Sequence, residues 1–186
     1  MTALTEQRLS LEVATATSFA PFGALVAADT RAGRGTSFYD DAVRLWDIPG
    51  MVTDADACVA VARIRKRPGI VRWMERHFLH TQIFMPLNGE PFAMVLAPPN
   101  DGNAPDPQAI RAFRFDGRQG VMLAIGTWHE FPFALAGDAD IAVFLRSETN
   151  ANLDVVEDGE AVGGDLEKRD IARRLGVRYI LDGVDA

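Results

Sequence analysis

The sequence predicts an all-β fold, a sandwich or barrel of short strands with one short helix near the C-terminus. Short apolar runs recur about every ten residues along most of the chain, the rhythm of strands in a closed β domain rather than of alternating strands and helices. Gly and Pro separate these runs and supply turn chemistry. A helical repeat with a start and a stop signal is visible over residues 165–176.

In chain order, the expected strands are residues 10–13, 23–27, 58–64, 70–74, 81–86, 92–96, 109–115, 120–124, 130–135 and 141–145. Asn88-Gly89 reads as a tight hairpin turn after the fifth of these, and Asp116-Gly117 as a second turn. Residues 30–50 begin Gly-rich and then carry Phe38-Tyr39 and Leu45-Trp46, which suits a loop folded over a site or a short helix packed on the barrel. Residues 98–107 read as a polar surface loop. In 165–176, Asp165 is placed to cap a helix with Leu166, Ile171 and Leu175 on its apolar side and Gly176 at its end. Residues 177–181 are expected to add an edge strand. The chain is thus read as one domain over 1–164, with 165–186 as a helix and strand appendage of that domain.

The length of 186 residues suits one domain, and a chain of this size buries about 70% of the surface that its unfolded form exposes. Cys58 is the only cysteine, so no intrachain disulfide is possible, and its apolar run suits a buried strand thiol. A net charge of −7 argues against nucleic acid as a partner. The basic stretch Arg63 to Arg67 is either a solvated strand end or an anion site. Residues 1–7 lack a targeting pattern, and no apolar run is long enough to span a membrane. A cytoplasmic location is the default expectation.

Three histidines, His77, His80 and His129, concentrate the chemistry. An isolated histidine in a β protein is usually structural, but each of these sits in a patterned segment. Glu75 and His77 are two apart and share a strand face, while Arg76 falls on the other face with Arg72 and Met74. Gln82 follows His77 by five residues and Gly89 follows Gln82 by seven; Gly126 precedes His129 by three. This arrangement resembles the two motifs of the cupins, His-x-His followed by Glu and Gly, then Pro-x-Gly-x-x-His. Glu75 and Gln82 replace two usual ligands, and Ala124 replaces the proline. The resemblance implies a cupin-like double-stranded β-helix, a jelly-roll barrel, with His77 and His129 facing one interior.

A narrower resemblance is carried by Phe19-Ala20-Pro21-Phe22-Gly23, by Glu75-Arg76-His77 with Thr81-Gln82-x-Phe84-x-Pro86-x-x-Gly89, by Trp128-His129, and by residues 152–155. These are similar to the ureidoglycolate lyase family, over roughly residues 15–158. Family membership implies a homodimer and a carbon–nitrogen lyase of the amidine-lyase type. It would split ureidoglycolate into glyoxylate and urea in allantoin and purine degradation, with a divalent metal such as nickel in some members. The sequence departs from the family at Glu130, where a second histidine is common, at His80, where a small residue is common, and across 33–39.

Ureidoglycolate is a carbinolamine bearing a carboxylate. Its cleavage needs a base at the hydroxyl, an acid at the leaving nitrogen and a cation for the carboxylate. The chemistry of imidazole makes His77 and His129 the expected acid–base pair, or metal ligands together with Gln82 if a metal is bound. Glu75 orients His77 or completes a metal site. Gln82 hydrogen-bonds the ureido group. Arg72 or Arg76 grips the carboxylate at two points, with Arg63 or Arg65 as substitutes. Trp128 either packs or walls the pocket, and His80 is either a third pocket residue or a surface residue. Two other readings stay open: a metal-dependent cupin enzyme for another small carboxylic acid, and a non-catalytic metabolite-binding cupin. Gly33-Arg34-Gly35 lacks the setting of a phosphate loop, and Ser147 lacks the glycines of a nucleophile elbow.

Overall fold

The computed structural model describes residues 4–35, 42–156 and 158–185. The first half of the chain runs β1 (Thr5–Leu9), β2 (Leu11–Val13), α1 (Ala16–Phe19), β3 (Gly23–Val26), β4 (Arg34–Gly35), β5 (Arg44–Leu45), β6 (Ala57–Ile64), β7 (Ile70–Val71), β8 (Trp73–His77) and β9 (Gln82–Pro86). The second half runs β10 (Phe92–Ala97), β11 (Arg111–Phe115), β12 (Gly120–Leu123), β13 (Trp128–His129), β14 (Phe133–Ala134), β15 (Ala139–Arg146), α2 (Ser147–Val155), β16 (Ala161–Gly163), β17 (Leu166–Asp170), α3 (Ile171–Leu175) and β18 (Val177–Leu181).

Two sheets face each other as a cupin-type sandwich. One has the order β3-β12-β9-β15-β6; the other runs β16-β17-β8-β13-β10-β11-β2, with β14 also on β10. Alternation sorts the side chains. Cys58, Ala60 and Ala62 on β6 pack inward, while Val59 and Val61 point out to solvent. Phe84, Val121, Leu123, Ile141 and Val143 from the first sheet meet Phe92, Met94, Leu96, Phe113 and Phe115 from the second. Phe19 and Phe22 complete this core, with Phe19 edge-on to Phe113 and Phe115. Each such side chain stabilises the fold by about 1.5–3 kcal/mol on burial.

β10 is buried along its whole length because both of its faces are covered. Its outward residues Ala93, Val95 and Ala97 join Met74, Trp128 and Phe133 in a second core. That core is capped by a three-stranded sheet of order β1-β18-β7 and by Ile171 of α3. The expectation of an edge strand at 177–181 is therefore corrected: β18 lies between β1 and β7. Tyr179 and Leu181 alternate inward along it, and burying that face requires a central place.

Three further local expectations change. Asn88-Gly89 is no hairpin: β9 and β10 belong to different sheets, so this turn carries the chain across the sandwich. Asp116-Gly117 does the same between β11 and β12. The two turns touch, and a Cβ on Gly117, at φ 84°, would lie 2.3 Å from the Gly89 carbonyl oxygen. The 165–176 helix shrinks to α3. Leu166–Asp170 instead pairs antiparallel with β8, and Asp170, not Asp165, caps the helix by accepting the Arg173 N–H. Within 30–50, β4 and β5 form a two-stranded ribbon closed by an Arg34–Asp47 ion pair; Phe38-Tyr39 lies outside the described residues. Cys58 is a free, half-buried thiol.

Candidate active site

β8 and β13 bring the predicted groups together. In this antiparallel pair His129 stands directly opposite Glu75, so their side chains leave the same face. His77, two residues along β8, joins them. Gly126 sets up the approach of β13: at φ 80° it turns the chain, and its N–H donates to the His77 carbonyl at 2.7 Å. Gln82 begins β9 on the facing sheet, two residues before inward-pointing Phe84, whose ring meets His129 edge-on at 5.9 Å. The apolar core forms the floor.

Glu75 Oε1 lies 3.4 Å from Nε2 of His129 and 3.8 Å from Nε2 of His77. The two imidazole centroids are 5.3 Å apart. His129 Nδ1 lies 3.1 Å from the Thr127 carbonyl, which can only accept; Nδ1 therefore carries a proton and Nε2 faces Glu75. Both nitrogens of His77, Nε2 of His129 and Oε1 of Gln82 are buried without a hydrogen-bond partner among the described residues. Buried polar atoms in this state call for water, an ion or a ligand to satisfy them.

Burial pushes the His77 imidazole down to about 4, against the opposing pull of Glu75, so the ring is neutral near pH 7. Burial pushes Glu75 up, but the contacts with His129 and His77 outweigh it, and the carboxyl sits below its ordinary range. The charge of Lys168 adds to that lowering.

The donor set suits a divalent metal. Ligand atoms of Glu75, His77 and His129 all lie within 4.8 Å of one another. Ligands about 2.1 Å from one ion stand roughly 3–4 Å apart, the range of the Glu75 contacts. Gln82 adds an uncommitted amide oxygen. Neutral imidazole with carboxylate oxygen is a donor mixture for nickel, manganese, iron or zinc.

The remaining predicted residues lie elsewhere. Arg76 points to the opposite face of β8, buried in an ion pair with Glu167 at 2.6 Å. It also donates to the carbonyls of Asn100 and Gly102 and stacks over Trp128 at 4.2 Å. Trp128 alternates away from His129 and donates to Asn100, so it is a member of the outer core. Arg72 is exposed against Asp158. Arg63 pairs with Asp140, and Arg65 is exposed. None of these guanidinium groups faces His77. Glu130 is buried on the outer side, where it accepts the N–H groups of Arg72 and Trp73 beside Arg67.

Two residues of the C-terminal segment enter the site region without a local signal in the sequence. Lys168 is the register partner of Glu75 on β17 and so shares its face; its ammonium lies 4.6 Å from the Trp73 ring centroid. Asp165 is fully buried against His80, which is itself buried beside His77.

Comparison with known proteins gives this geometry a family. The profile of ureidoglycolate lyase matches residues 6–163. The chain belongs to the ureidoglycolate lyase family. A ureidoglycolate lyase of Azotobacter vinelandii is 37% identical over 78% of this chain and 89% of the relative. One of Stutzerimonas stutzeri is 34% identical over 78% of this chain and 87% of the relative. A crystal structure of a dTDP sugar isomerase from Desulfovibrio desulfuricans is 16% identical, with a TM-score of 0.42 across 81% of this chain and 87% of the other. The ureidoglycolate lyase match ends at residue 163, so Asp165 and Lys168 lie beyond it.

Proposed function

We propose that this chain is a lyase that cleaves ureidoglycolate into glyoxylate and urea. The observation that carries the reading is the convergence of Glu75, His77 and His129, with unpartnered nitrogens, on one inner face of a ureidoglycolate lyase family member.

The reaction moves one proton. The substrate hydroxyl loses it, the carbon–oxygen double bond forms, the carbon–nitrogen bond breaks, and the leaving ureido nitrogen takes a proton as urea departs. His129, held by Thr127 and facing Glu75, is the group assigned to this transfer. Glu75 stabilises its protonated form. Neutral His77 keeps one ring N–H, which donates a hydrogen bond to the hydroxyl oxygen and orients it. Gln82 faces the ureido end. A positioned acid–base pair of this kind contributes about 10²–10⁴-fold. In the metal-bound form, Glu75, His77, Gln82 and His129 would hold a divalent ion such as nickel, whose charge would lower the cost of developing oxyanion character. Lys168 is the cation assigned to the substrate carboxylate, in place of the arginines that face elsewhere.

The pairing of β17 with β8 supports reading 1–164 and 165–186 as one domain. A homodimer is proposed through the outer face of the sheet that ends in β6, where Val59 and Val61 are exposed. The proposed setting is cytoplasmic allantoin and purine breakdown, on the strength of the family. Among the described residues no helix is long and apolar enough to cross a membrane.

The test is glyoxylate release from racemic ureidoglycolate, with and without added divalent metals. Release well above the spontaneous rate is expected. Release at the spontaneous rate under every condition removes the lyase reading.

A further inference from the structure

His80 is buried at 2% exposure, and its Nδ1 lies 2.6 Å from Oδ2 of Asp165, which is itself fully buried. The same oxygen accepts the Thr149 hydroxyl at 2.6 Å. The other oxygen, Oδ1, accepts the N–H groups of Phe78 at 2.7 Å and Leu79 at 2.6 Å. Each carboxylate oxygen thus has two donors, which fills its accepting capacity. Although His77, His80 and Asp165 are near enough to hold an ion, Asp165 has no lone pair left to give one. Its work is to fix the segment joining β8 to β9 and to orient a ring.

The orientation has a chemical consequence. A carboxylate only accepts, so Nδ1 of His80 must be the N–H, and the neutral ring presents a lone pair at Nε2. Nε2 is buried without a hydrogen-bond partner among the described residues. The ring lies 4.8 Å from that of His77, whose nitrogens are also uncommitted. With Gln82 Oε1 and Glu75, the region is rich in acceptors. A ligand that satisfies such a region brings N–H donors, and the ureido group has three.

We propose that His80 is a specificity residue whose Nε2 accepts an N–H of the substrate's ureido group, and that Asp165 is the positioning residue that holds its tautomer. This rests on the reading of the site as one for ureidoglycolate, and it adds a recognition element to it. Asp165 lies beyond residues 6–163, the segment that the family profile matches.

The test uses the full chain and N-carbamoylglycine, which keeps the ureido and carboxylate groups but lacks the hydroxyl and cannot be cleaved. Glycolate, with carboxylate and hydroxyl but no ureido group, is the control. Calorimetric affinities are measured for the wild type, His80→Phe and Asp165→Asn. His80→Phe retains a ring for packing if Asp165→Asn fails to fold. The expected result is an affinity for N-carbamoylglycine at least about tenfold weaker in the variants, with glycolate affinity unchanged; one lost hydrogen bond to a buried partner is of that order. Nitrogen-15 NMR of the histidine rings should show His80 protonated at Nδ1, an Nε2 signal that moves on adding N-carbamoylglycine, and loss of that tautomer preference in Asp165→Asn. Equal affinity of wild type and His80→Phe for N-carbamoylglycine overturns the proposal, as does a parallel loss of glycolate binding, no binding to the wild type, or an Nε2–H tautomer. If the wild type releases no glyoxylate but still discriminates in this way, the lyase reading falls and the recognition role of His80 stands.

Discussion

Glu75 and His129 face each other across the β8–β13 pair, with the carboxylate oxygen 3.4 Å from Nε2 of the imidazole. The same oxygen reaches His77 at 3.8 Å, so one carboxylate touches both rings.

That position predicts the effect of Glu75→Gln. The amide keeps the shape but loses the charge that stabilises protonated His129. The kcat for glyoxylate release should fall by about 10²-fold or more, within the range for loss of a positioned acid–base partner. The folded state should survive, because Glu75 is not pinned by backbone hydrogen bonds in the way Asp165 is. Thermal unfolding measured beside the kinetics separates the two effects. A variant with wild-type kcat would remove Glu75 from the mechanism.

Lys168 and Arg76 should separate cleanly in kinetics and stability. Lys168→Met removes the cation on the Glu75 face, so KM for ureidoglycolate should rise by about tenfold, the scale of one charge-assisted contact. Arg76→Met leaves Glu167 with Arg169 as its remaining buried partner and takes the donor from the carbonyls of Asn100 and Gly102, a loss of about 1–3 kcal/mol. It should lower the unfolding midpoint while leaving the KM of the remaining folded protein unchanged. Steady-state kinetics and urea unfolding on both variants check this; a raised KM in Arg76→Met alone would reverse the assignment.

How legible all this is in the sequence depends on distance along the chain. The core strands are readable because Cys58, Ala60 and Ala62 alternate with solvent-facing neighbours and because 92–97 is apolar throughout. Alternation alone also separates Arg76 from His77. β1 is illegible, since Thr5 to Arg8 are exposed and only pairing with β18 makes them a strand. α2 has no side-chain cap and no apolar stripe to announce it. Asn88-Gly89 is a true turn signal, yet a dipeptide cannot say whether the next strand pairs with the last or crosses to the other sheet. Asp165 looks like a helix cap because its partner His80 lies 85 residues away; tertiary contact decides its role.

Acid should weaken the metal-free fold by a route traceable to His77. Its pKa is pushed down to about 4 in the folded chain, against about 6.5 when unfolded. Between those values the unfolded chain binds more protons, so stability falls as pH drops through the window, by at most about 1.4 kcal/mol per pH unit for one group. The lowered carboxyls of Glu75 and Asp165 act in the same direction further down: their stabilising contribution is present at neutral pH and is lost as they protonate. Urea midpoints of chelator-treated protein at about pH 7.5 and about pH 5 measure the slope. His77→Gln should flatten it; an unchanged slope would mean that burial of His77 is not its source.

Metal binding should show itself as linkage. A ligand that binds only the folded state stabilises it by RT ln(1 + [L]/Kd), about 2.7 kcal/mol at a hundredfold excess over Kd. Adding nickel or manganese to chelator-treated protein should therefore raise the unfolding midpoint of the wild type. The rise should vanish in His77→Ala and in His129→Ala, which each remove one nitrogen ligand. It should persist in Arg76→Met, whose substitution lies on the far face of β8. If the metal shift survives both histidine variants, the ion sits elsewhere and the donor set of Glu75, His77 and His129 serves proton transfer alone.

The outer face of β6 makes the last prediction. β6 ends its sheet, and Val59 and Val61 point away from the core at 58% and 64% exposure. Phe144 on β15 is the register partner of Val59, so it shares that face. An apolar edge of this kind is costly to leave in water and invites pairing. The proposed dimer covers this face, so the wild type should sediment as a dimer and Val61→Lys as a monomer at micromolar concentration in sedimentation velocity. The active site lies between the two sheets, away from this outer face, so the monomer should keep the wild-type kcat. A dimer that persists in Val61→Lys would place the interface on a different surface; a kcat lost with the dimer would mean that the partner helps to shape the site.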